Sequence, residues 1–90
     1  MENYEEAEKQ YLLAIRVKPN NIAAHCDYGN LLKEMGRYEE AEKQYLLALE
    51  ADPKNINIHY FYGTLLEEMG YKEEAEKQYQ LALKYDSGDF

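Results

Sequence analysis

The sequence predicts an all-α protein, a solenoid of antiparallel helix pairs with five helices in all. Three observations carry that prediction. The string Tyr-Glu-Glu-Ala-Glu-Lys-Gln-Tyr-Leu-Leu-Ala stands at 4–14 and again at 38–48, and a near copy occupies 72–82. Each copy starts 34 residues after the last. Between the copies, apolar residues recur at spacings of three and four, which is a helical period and not a strand period. Units of 20–50 residues repeated at a fixed interval are the mark of stacked architecture. One unit cannot bury its own apolar face, and identical interfaces need similar residues at equal intervals.

The elements follow in order. Residues 1–20 form half a unit, the second helix of a pair. Residues 21–55 form a full pair, and 56–90 form another. The first helix of the full pair carries Ile22, Tyr28, Leu31, Leu32 and Met35. Asn20 or Asn21 is placed to cap its start and Asn55 to cap the equivalent start one unit later. Gly36 and Gly70 end these helices, as expected of a residue in the left-handed conformation. The second helix opens with Glu-Glu-Ala-Glu, negative charge at the positive end of the helix dipole. Tyr38, Ala41, Tyr45 and Ala48 then make one stripe. Glu39–Lys43 and Glu73–Lys77 have the spacing of stabilising ion pairs along the helix. Asp52-Pro53 stops it.

Small residues set the expected packing. Gly29 and Gly63 fall mid-helix, where glycine costs about 1 kcal/mol against alanine. The cost is tolerable where a neighbouring helix approaches closely. Alanines flanking Tyr45 do the same on the partner helix, so small faces large across each pair.

Composition narrows the function. The net charge is −8. That sign argues against binding a phosphate backbone, which needs a basic stripe, and against adhesion to anionic lipid. It favours neutral or basic partners. No apolar run approaches the roughly 20 residues that span a bilayer. The acidic start is neither a signal nor a transit peptide. Cys26 is the single cysteine, so a reducing, cytoplasmic setting is the expectation.

Chemistry finds little footing. His25 and His59 hold one repeat position, and axes of packed helices lie about 8–10 Å apart, too far for both to reach one zinc at about 2 Å. They are expected inside the pair, packed. His25-Cys26 resembles half a nucleophile pair, yet sequence neighbours diverge around a helix. The glutamate pairs read as a solvated outer face. No catalytic residue, metal or cofactor is expected, and no enzyme.

These residues resemble the tetratricopeptide repeat. The 34-residue unit has its length. Tyr28-Gly29, Leu32, Gly36, Tyr38, Ala41, Tyr45, Ala48 and Pro53 match its signature, as do Tyr62-Gly63, Leu66, Gly70, Ala75, Tyr79 and Ala82. Tyr4, Ala7, Tyr11, Ala14 and Pro19 match the second half of a preceding unit. Departures are His25 and His59 at the usual aromatic position, Lys72 in place of tyrosine, and Ser87 in place of the closing proline. The last predicts a fraying end at 87–90. The resemblance implies a right-handed superhelix, a fragment of a longer array, and a peptide-binding role for the concave surface lined by first helices.

On that surface the sequence places Cys26, Asp27, Asn30 and Lys33, and one unit later Asn57, Tyr60, Phe61, Thr64, Glu67 and Glu68. Tyr60 and Phe61 read as anchors for a protein or peptide ligand, flanked by carboxylates that favour a basic or amphipathic segment. Alternatively, the two rings pack against the preceding pair or a partner chain. A subset of the family clamps a chaperone's C-terminal carboxylate with lysine, arginine and asparagine. Asn30 matches one clamp asparagine, but the positions of the clamp cations and second asparagine carry Cys26, Asp27, Asn57 and Phe61, and only Lys33 is basic, so this ligand is not expected. Two further readings stay open. One is a structural or engineered fragment that self-associates through uncapped ends, as a symmetric dimer or by helix exchange about Gly36 or Gly70. The other is a regulatory appendage of a larger enzyme.

Overall fold

Each helix begins and ends for a local reason. In a computed structural model that describes residues 3–87, five helices appear: α1 (Tyr4–Val17), α2 (Ile22–Glu34), α3 (Tyr38–Ala51), α4 (Ile56–Glu68) and α5 (Lys72–Ser87). Asn21 and Asn55 are the caps of α2 and α4. Their side-chain oxygens accept from the backbone N–H of Ala24 at 3.0 Å and of Ile58 at 3.1 Å. Asn3 caps α1 in the same way, from Glu6, a cap the sequence reading did not single out. Each such bond satisfies one orphan amide of a first turn.

Gly36 and Gly70 take φ of 79° and 89°. This lets the next residue fold back on the helix just ended. Arg37 donates its backbone N–H to Leu32 at 2.9 Å, and Tyr71 to Leu66 at 2.8 Å. That is the six-to-one closure of a left-handed helix stop. The fraying expected at the C-terminus is not seen at Ser87, which ends α5 with its hydroxyl on the Lys84 carbonyl. The remainder of that expectation, 88–90, lies outside the described residues.

The small-against-large packing is present. A Cβ placed on Gly29 would sit 2.7 Å from Tyr45 Cε1, and one on Gly63 would sit 2.5 Å from Tyr79 Cε1. Only a bare Cα lets each ring lie flat against the facing helix. Ala41, Tyr45, Ala48, Leu32 and Leu65 are wholly buried. His25 and His59 fill the interface within each pair. His25 Nδ1 lies 2.7 Å from Gln44 Oε1, and its Nε2 lies 2.7 Å from the Pro19 carbonyl. His59 repeats this with Gln78 and Pro53. The imidazole thus ties the inter-unit turn to the second helix.

The helix-surface ion pairs differ from expectation. Glu39–Lys43 and Glu73–Lys77 are not formed. Lys77 pairs instead with Glu74 at 3.5 Å. Arg37 makes the stronger contacts, two bonds to Glu40 and one at 2.8 Å to Glu8. A guanidinium at a helix start meets two carboxylates in fork geometry, which an exposed lysine cannot match.

The units stack with a bend. The backbones of α2 and α4 come close to each other, whereas those of α3 and α5 stay apart. First-type helices therefore line the inner side of the curve. No helix among the described residues is long and apolar enough to cross a membrane.

Candidate functional site

The inner face is built where α2 meets α4. Lys33 on α2 reaches across, donating from Nζ to Thr64 Oγ1 at 2.8 Å and lying 3.9 Å from Glu68. Thr64 in turn donates to the Phe61 carbonyl at 2.7 Å. The one lysine predicted for this face is thus already engaged with α4. Asn30 accepts from the buried Tyr45 hydroxyl. Asp27 and Glu68 are exposed. Phe61 is half-buried and packs against the main core, while its ring meets Tyr60 edge-on at 6.0 Å.

The predicted stripe divides in two. Cys26 does not reach the surface. It is 8 % exposed within the core, and burial pushes its thiol up to about 11. The same position one unit later is Tyr60, which is 54 % exposed. The difference comes from cover, because α4 lies over Cys26 and no described helix lies over Tyr60. Tyr60, Asn57, Thr64 and Glu67 line a cleft of about 520 Å³ between α4 and α5, completed by Tyr79 and Leu83. The Tyr60 and Tyr79 rings stand 5.7 Å apart, and the Tyr79 hydroxyl donates to Glu67. Asp27, Phe61, Lys33 and Glu68 stay outside this cleft.

A third feature joins successive units. Tyr28 donates to Glu8 Oε2 at 2.6 Å, and Tyr62 to Glu42 Oε2 at 2.7 Å. The Tyr28 bond and Arg37 together outweigh partial desolvation and hold the Glu8 carboxyl below its usual range. Burial, reinforced by Glu8, pushes the Tyr28 phenol up to about 12. These are packing contacts. Among the described residues no three acidic, histidine or cysteine side chains stand close enough to hold a metal ion.

Family models cover nearly all of this. One described as TPR repeat matches residues 29–70, and two described as Tetratricopeptide repeat match 10–43 and 56–89. The chain belongs to the tetratricopeptide repeat family. Among solved structures, tetratricopeptide stacking like this is found in MamA. A structure titled MamA AMB-1 is 26 % identical, with a TM-score of 0.87, over 97 % of this chain and 48 % of that one. One titled MamA MSR-1 is 25 % identical, with a TM-score of 0.87, over 97 % and 50 %. Another MamA crystal structure, at 22 % identity and a TM-score of 0.89, shares the fold over 94 % and 50 %. The chain thus spans about half the length of these structures. No curated protein sequence matches it significantly.

The tetratricopeptide signature accounts for the core but not for Leu83, Glu8 or Arg37. A signal for the inter-unit bonds was present. Glutamate precedes tyrosine by 20 residues at 8 and 28 and again at 42 and 62, inside the 34-residue period.

Proposed function

We propose that this tetratricopeptide chain is a non-enzymatic interaction scaffold that holds a basic or amphipathic peptide segment along its inner face. The observation that carries the reading is the state of Lys33. Its ammonium is engaged with Thr64 and paired with Glu68, so the face, which also carries the half-buried Phe61 ring, is left net acidic by the exposed Asp27 and Glu67. A ligand with an apolar anchor and flanking cations complements both. An acidic chain terminus would meet like charge.

The test is fluorescence anisotropy of labelled basic amphipathic peptides at low salt. The Asp27→Lys/Glu68→Lys variant is expected to weaken the best binder about tenfold or more, and Phe61→Ala to weaken it independently of salt. Affinity that neither change moves removes the proposal.

A further inference from the structure

We infer that the seam between the two full units binds the guanidinium of an arginine carried by a partner peptide. The preceding seam, between α1 and the first full unit, shows how such a group is held. There Arg37 donates from Nη1 to Glu8 Oε2 at 2.8 Å, and from Nε and Nη2 to the two Glu40 oxygens at 3.0 and 2.6 Å. Glu8 Oε2 also accepts from the Tyr28 hydroxyl. One cation thus serves two carboxylates that converge beside a tyrosine.

At the seam between the full units the carboxylates and the tyrosine recur, but the cation does not. Glu42, Glu74 and Tyr62 stand where Glu8, Glu40 and Tyr28 stood, and Tyr71 takes the place of Arg37. The Tyr62 hydroxyl donates to Glu42 at 2.7 Å. Burial first, then Glu42, then the charge of Glu74 push the Tyr62 phenol up, whereas at Tyr28 the charge of Arg37 works against the rise. The nearby lysines do not replace Arg37. Lys77 lies 3.5 Å from Glu74 with its side chain 69 % exposed, a surface pair of little worth. Lys72 makes no ion pair among the described residues.

The seam is also accessible. A cleft of about 470 Å³ runs between the turn at 36–40 and the turn at 68–71. Each wall belongs to a full unit, so the cleft is a product of their stacking. Tyr38 and Met69 offer apolar surface to the methylene stem of a long cationic side chain. Tyr71 is 56 % exposed, and its side chain has no hydrogen-bond or ring partner among the described residues. Its ring face is therefore available to a planar cation. Glu39 and Glu68 line the cleft too, Glu68 sharing only a 3.9 Å contact with Lys33. Arg37 adds no free charge, because Glu8 and Glu40 occupy its guanidinium. Two carboxylates on opposite sides of a seam suit the fork of arginine better than the point charge of lysine.

The probe is the tripeptide acetyl-Gly-Arg-Gly-amide, titrated at low salt into the isotope-labelled protein and followed by NMR. Saturable shifts are expected at the amides of Glu42, Tyr71 and Glu74. The neutral citrulline analogue should bind about tenfold more weakly or worse. Tyr71→Arg supplies the guanidinium from within the chain, so it should weaken the tripeptide about tenfold or more and raise the thermal midpoint. Tyr71 is exposed, so this variant keeps its fold, checked by circular dichroism. The inner-face variants Asp27→Lys and Phe61→Ala should leave the shifts unchanged, so this site and the peptide groove proposed above stand or fall separately. Shifts that survive Tyr71→Arg, or that citrulline reproduces, overturn the inference. So does a midpoint that Tyr71→Arg fails to raise, since Glu42 and Glu74 would then be unable to hold a guanidinium. Free L-arginine binding as tightly as the tripeptide would assign the seam to the amino acid and overturn the peptide assignment.

Discussion

The α2–α3 and α4–α5 hairpins are nearly the same sentence written twice, yet they live in different solvents. Gly29 and Gly63, Tyr45 and Tyr79, Ala48 and Ala82, Leu49 and Leu83 correspond position for position. Tyr45 is 0 % exposed, while Tyr79 is half-buried. The contrast shows that burial of a repeat residue is a property of the following helix as much as of the residue. A shared letter therefore predicts backbone conformation better than it predicts energy.

Truncating the two tyrosines breaks the comparison most forcefully. Tyr45→Ala should cost about 3–5 kcal/mol, the range for emptying a buried aromatic site. Tyr79→Ala should cost about 1–2 kcal/mol, because less apolar surface leaves water there. Urea denaturation of the two variants reads the difference, and equal losses would mean that the following helix contributes nothing.

The glycines sharpen the same point. Bare distance ranks Gly63→Ala as the worse clash, at 2.5 Å against 2.7 Å. We expect the reverse order. Tyr79 faces an open side and can swing away, whereas Tyr45 is enclosed. Gly29→Ala should then cost about 1–3 kcal/mol from overpacking. In Gly63→Ala the helix-propensity gain of about 1 kcal/mol offsets most of the strain. Thermal melts followed by circular dichroism decide the order.

Removing hydroxyls probes the links between units. Tyr62→Phe deletes the donor to Glu42 and should cost about 0.5–1.5 kcal/mol. Tyr79→Phe touches a bond at the exposed end and should cost less. Chemical denaturation of the pair checks this.

The smallest effect is in acid. Glu8 is held below its ordinary value of 4.5 by the Tyr28 hydroxyl first and then by Arg37. Its folded pKa is thus lower than its unfolded one. The stability it adds is present above about pH 4.5 and is lost as pH falls through the folded value. Glu8→Gln should flatten the acid limb of the stability–pH curve, read from urea denaturation at a series of pH values. An acid limb that stays as steep would remove the role given to this carboxyl.

Local order was legible in the sequence because its causes are local. Asn21 and Asn55 cap, Gly36 and Gly70 turn, and Gly29 signals a close neighbour, all through interactions within one pair. The candidate site was less legible because it depends on how pairs stack. Cys26 and Tyr60 share a repeat position, so periodicity assigned them one face. Only the cover supplied by α4 makes one a core thiol and the other a cleft wall. Arg37 likewise chose Glu8 and Glu40 over a lysine-based pattern because the bend brings α1 within reach of its guanidinium.

Lys33 fastens the inside of the curve, while α3 and α5 remain out of touch on the outside. The units are therefore joined along the inner side and through α3 against α4, while the outer helices stand apart. An occupant of the inner wall would meet a cradle whose radius is set jointly by the Lys33 bridge and by the Tyr62–Glu42 bond.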